Sequence, residues 1–167
     1  MKRAVAFLFA IFLSANIFCQ EDIIYSNNGR AYFQNQDYYL LIFLVNDLKQ
    51  AVDNWNIPNA TPSFNSTTTV KMNEPISLFI VYAANKDSIN LNYNLRLIEP
   101  DGTFSENINY EGLKISDTVR TKQTMYLGAQ LPTIRFDEEE TGTYSFVVEA
   151  YDDNELIRKF MLEFSLL

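Results

Sequence analysis

Histidine is absent from the 167 residues, and cysteine occurs once, at Cys19. Without histidine, Ser-His-Asp and Cys-His nucleophilic catalysis, histidine-ligated zinc and a histidine pH switch are all excluded. A lone cysteine closes no disulfide within the chain, so the fold must rest on its apolar core. Glycine is scarce as well, with five residues and no cluster that would cradle a phosphate. Positive charge is outweighed: 13 Lys and Arg stand against 21 Asp and Glu, for a net charge of −8. Nucleic acid and anionic lipid gain nothing by releasing counterions to such a surface, so neither is an expected partner.

No apolar run is long enough to span a bilayer, which takes about 20 residues. The N-terminus instead reads as an export leader over residues 1–20. Lys2 and Arg3 form its positive start, residues 4–13 are uncharged and mostly apolar, and Ser14, Asn16, Gln20 and then Glu21 close it. Cleavage after Cys19 or Gln20 leaves a chain suited to one domain with its own core, located in the periplasm or outside the cell. The alternative use of Cys19, as the lipid-bearing residue of a lipoprotein, is disfavoured by Phe18, because such signals place a small residue before the cysteine.

What is present is strand signal. Tyr and Phe number 10 and 13, a composition that suits pleated, half-buried surfaces. Residues 21–36 read as an arm or small hairpin turning at Ser26-Asn27-Asn28-Gly29. Residues 38–45 and 76–83 are apolar at nearly every position, as strands buried on both faces are. Residues 89–97 alternate without a fault and stop at Pro100-Asp101-Gly102, where proline presets one turn angle and glycine supplies a positive one. Residues 103–123 look like a long polar connection with short strands near Phe104 and Leu113. Further apolar runs lie at 125–127 and 131–136, and residues 144–150 and 156–166 form a terminal hairpin. One stretch departs from this period: Leu48, Ala51, Val52 and Trp55 fall at helical spacing behind Asp47, predicting a short helix over 47–55 with Trp55 plugging one end of the core.

Short strands at this spacing predict an all-β sandwich over residues 37–167. Asp137 through Tyr144, with Gly142 two residues before the tyrosine, resembles the tyrosine corner of immunoglobulin-like domains. There the phenol bonds back to upstream main chain. Taken together, Trp55 after a short polar helix, the apolar strand 76–83, Pro100-Asp101-Gly102, the Asp137–Tyr144 corner and the final hairpin resemble a family of small exported bacterial proteins. That resemblance implies an immunoglobulin-like fold in the periplasm or outside the cell. It implies no activity.

Chemistry is harder to find. The acidic residues 137–140 and 152–153 offer oxygen ligands of the kind calcium takes, yet follow no EF-hand spacing. They read as solvated turns that discourage edge-to-edge aggregation. No spacing selects a carboxylate pair for glycoside hydrolysis, and Lys114 and Ser116 are neighbours in sequence only. Asn59 and Asn65 match the glycosylation pattern, which carries little weight in a bacterial chain. No catalytic, metal or cofactor residue is therefore assigned. The expected function is a non-catalytic binding module for a protein, a glycan or a second copy of itself. The alternative is an enzyme or metal-dependent factor whose carboxylate site assembles only in the fold.

Overall fold

Alternation along the sequence becomes alternation in space. In β6 (Leu91–Ile98), Leu91, Tyr93, Leu95 and Leu97 are buried while Asn92, Asn94, Arg96 and Ile98 are half-exposed, because successive strand residues face opposite sides of the sheet. The computed structural model describes residues 23–47, 66–85, 90–114, 117–120, 125–130, 133–137 and 139–167, together with Lys49, Gln50 and Asp53. Residues 1–20, expected to be an export leader and including Cys19, lie outside the described residues, as does Trp55. The remaining strands are β1 (Ile23–Ser26), β2 (Arg30–Gln34), β3 (Tyr38–Val45), β4 (Thr69–Val70), β5 (Pro75–Ala84), β7 (Phe104–Lys114), β8 (Asp117–Arg120), β9 (Met125–Gln130), β10 (Ile134–Arg135), β11 (Gly142–Asp152) and β12 (Glu155–Leu166).

They form two sheets. The first runs β1-β12-β11-β6-β7 with β4 also on β12, and the second runs β2-β3-β5-β9-β8 with β10 on β5. One continuous core joins them: Leu40, Ile42, Leu78 and Ile80 from the second sheet meet Leu95, Phe146, Val148, Phe160 and Leu162 from the first. The chain is thus all-β, with its sheets face to face. The near-continuous apolar strands are buried on both faces, since Phe43, Val45, Phe79 and Val81 form a second cluster on the side away from the shared core. Among the described residues no helix is long and apolar enough to cross a membrane. Lys49, Gln50 and Asp53 are helical, and the Asp47 carboxylate accepts the Gln50 N–H at 2.9 Å, the N-cap bond expected there.

Two sequence expectations are corrected. The stretch expected as a polar connection over 103–123 with short strands near Phe104 and Leu113 holds instead an 11-residue strand, β7, antiparallel to β6 with two register irregularities. Its side chains are mostly exposed at this sheet edge, so hydrophobic alternation could not announce it; main-chain pairing holds it. Residues 23–34 are neither a loose arm nor a hairpin. β1 runs parallel to β12 while β2 runs antiparallel to β3, so the corner between them carries the chain from one sheet to the other.

The turn chemistry was readable. Gly102 has φ +87° and its N–H donates to the Glu99 carbonyl at 2.9 Å, while Asp101 accepts the Thr103 N–H at 2.8 Å. Tyr144 is buried and its hydroxyl donates to the Glu140 carbonyl at 2.6 Å, the bond expected of a tyrosine corner. Two other buried phenols, Tyr82 and Tyr93, have hydroxyls with no partner among the described residues, and burial drives the ionisation of both far upward. One substitution therefore has two expected outcomes. Tyr144→Phe should lower stability by about 1 kcal/mol, and Tyr93→Phe should leave it unchanged or raise it, because only the first hydroxyl makes a bond that is lost. Urea midpoints of the two variants measure this directly.

Candidate binding cleft

The corner between β1 and β2 is built by small residues. The Ser26 hydroxyl donates to the Arg30 carbonyl, the Gly29 carbonyl accepts the Leu44 N–H at 2.8 Å, and Ser66 donates to the Asn28 carbonyl at 3.1 Å. Gly29 has φ +69°, and a Cβ there would stand 2.2 Å from the Thr67 carbonyl oxygen. No other residue type fits both conditions. Because β1 ends one sheet and β2 ends the other, their divergence leaves an open cleft of about 730 Å³ lined by Ile24, Tyr32, Phe33, Gln34, Asn35 and Gln36.

Strand alternation fixes how these side chains stand. Tyr32 points away from the core and is 65% exposed, while Phe33 packs against it. The Arg158 guanidinium lies 4.4 Å over the Phe33 ring, a cation–π contact that holds the ring in place. Asn35 is committed to its own turn, its side-chain oxygen accepting the N–H groups of Asp37 at 3.0 Å and Tyr38 at 2.7 Å. Gln34 precedes that turn and Gln36 lies within it, both exposed. None of the six lining residues carries a carboxylate, an amine or a guanidinium. Reading residues 21–36 as an arm missed this site. The signal that points to it is Tyr32-Phe33 followed directly by Gln34-Asn35-Gln36, an aromatic pair and three amides.

A charged cluster lies elsewhere, on the first sheet's face away from the core. Glu149 is buried and accepts from Arg96 at 2.8 Å, Lys159 at 2.9 Å, Tyr151 at 3.1 Å and Asn94 at 3.4 Å. Burial pushes this carboxyl upward, but the hydrogen bond from Lys159 and the charge of Arg96 outweigh it and hold it below the usual glutamate range. The folded value being depressed, the resulting stabilisation is full above that range and disappears as acid titrates the group. A carboxylate saturated by four partners and kept ionised acts as a cross-strand staple, not as a general acid.

The acidic turns do not converge. Asp137, Glu139 and Glu140 precede the 11-residue strand β11, Asp152 is its last residue and Asp153 follows it, so the two groups stand about 30 Å apart along the strand. Asp152 spends one oxygen on the Tyr38 hydroxyl at 2.7 Å and the other on the Asn90 N–H at 3.0 Å, and Asp153 accepts from the Asn90 amide at 2.8 Å. Among the described residues no three Asp or Glu gather as metal ligands. Calcium in a thermal-shift assay should thus leave the melting midpoint unmoved, whereas a site at 100 times its dissociation constant would add about 2.7 kcal/mol.

No family model and no curated protein matches the chain. Among solved structures, the chain is similar to the Pseudomonas fluorescens alkylpurine DNA glycosylase AlkC bound to DNA containing an abasic site analog, at 11% identity and a TM-score of 0.35. That match covers 60% of this chain and 27% of the glycosylase chain, so the chain spans about a quarter of that protein's length.

Proposed function

We propose that the chain is a non-catalytic binding module of the periplasm or extracellular space, built on an immunoglobulin-like sandwich, which takes its ligand in the cleft between β1 and β2. The observation that carries this reading is Tyr32, a large aromatic ring 65% exposed beside three amides in an open cleft. Half-buried Ile24 and Phe33 stand beside it, so the lining combines apolar surface with a few amides, the mix that small-ligand sites use. The immunoglobulin-like assignment is supported by the neighbours β12-β11-β6-β7 and β3-β5-β9-β8, which follow the order of the two sheets in that fold. The Tyr144 corner at the start of β11 supports it too. The leader-like pattern of residues 1–20 in the sequence supports the location.

The reading is tested by mapping amide chemical shifts of the full chain against a panel of oligosaccharides and extended peptides. Ligand-induced shifts should centre on Ile24 and residues 32–36 and vanish in Tyr32→Ala. Tyr25→Ala, on the other face of β1, should change nothing. Shifts that ignore Tyr32, or turnover of any panel member, would refute the reading.

A further inference from the structure

The chemistry of the cleft points to a class of ligand, and the inference rests on the cleft being the binding site. We infer that it binds a neutral oligosaccharide, with Tyr32 as stacking platform and Gln34 and Gln36 as hydrogen-bonding partners.

The six described lining residues carry no fixed charge, so a phosphate or a uronic acid would find no counter-charge among them. Of the nearby cations, Arg158 is stacked at 4.4 Å on Phe33, and Arg30 stands two residues before Tyr32 on the same face of β2. Side-chain amides each offer two N–H donors and a carbonyl acceptor, which matches sugar hydroxyls that donate and accept at once. An aromatic face carries partial negative charge and attracts the positively polarised C–H groups on the flat side of a sugar ring. Tyr32, with its ring free of the core and 65% exposed, presents such a face.

An extended peptide is the competing occupant, since β2 is the end strand of its sheet among the described residues. Strand addition draws its affinity from main-chain hydrogen bonds along the edge. β2 offers only five residues before the Asn35 turn closes it. Its tyrosine stands off the sheet face, not along the edge, so a paired strand would leave the exposed ring unused.

The test is calorimetry and shift mapping on the full chain with neutral cello-, xylo- and chito-oligosaccharides, acidic galacturonate oligomers and an uncharged octapeptide. At least one neutral sugar should bind. Tyr32→Ala should weaken it tenfold or more and Gln34→Ala severalfold, with the urea midpoint of each variant close to that of the parent. Preference for the acidic oligomers, or neutral-sugar binding that ignores Tyr32, overturns the inference. Tyr32-dependent binding of the peptide alone would leave the cleft standing as the site while refuting the sugar. Binding of none of the panel at the cleft would overturn both.

Discussion

Phe164→Ala is expected to lower stability by roughly 3–5 kcal/mol, the range for deleting a fully enclosed aromatic side chain. Phe164 is 2% exposed and lies at the centre of an aromatic group: its ring centroid is 5.1 Å from that of Phe146 and 5.8 Å from those of Phe136 and Tyr144. These rings come from β11, β12 and the segment after β10, so no single neighbour can collapse into the space left behind. The lost transfer energy and the cavity then add. Urea denaturation measures the change, and an unshifted midpoint would mean that the core is looser than described.

Gly29→Ala should be nearly as damaging, for a different reason. A non-glycine residue in the left-handed region costs about 1–2 kcal/mol. At Gly29 the new Cβ would also meet the Thr67 carbonyl oxygen at 2.2 Å, and main chain cannot swing aside as a long side chain can. The total should reach about 3 kcal/mol, as expected where a strained backbone site and a steric clash coincide. Gly102→Ala is the control. Its φ is +87° but nothing lies within 4 Å of the added atom, so only the backbone cost of about 1–2 kcal/mol applies. Equal losses at the two glycines would show that the Thr67 contact is not what fixes the corner. Because that corner sets the divergence of β1 and β2, Gly29→Ala should also weaken ligand binding in the cleft.

Strands whose side chains divide cleanly between core and solvent were legible in the sequence. β6, β11 and β12 are recognisable from alternation, and β3 and β5 from their unbroken apolar runs, because burial decided their composition. β7 was legible only as short strands near Phe104 and Leu113, since an edge strand exposed on most of its length is held by main-chain bonds that leave little hydrophobic pattern. The split of residues 23–34 between two sheets was hidden for a related reason. Ser26-Asn27-Asn28-Gly29 announces a turn, but the sheet each flanking strand joins depends on the distant partners β12 and β3. The candidate site lies in that hidden part. Its residues were visible as types, yet Tyr32 acquires meaning only once its exposure and its position beside a sheet edge are fixed by pairing with Leu41. The acidic turns illustrate the converse: close in composition, they are separated by the length of β11.

The most direct test of the central claim is the location of ligand-induced amide shifts in the full chain on addition of neutral oligosaccharides, with Tyr32→Ala as the matched control. The cleft account predicts shifts at Ile24 and residues 32–36 that saturate with ligand and disappear in the variant, while Glu149 and its partners on the far face stay still. Shifts centred on Arg96, Glu149 and Lys159, or retained in full by Tyr32→Ala, would contradict it.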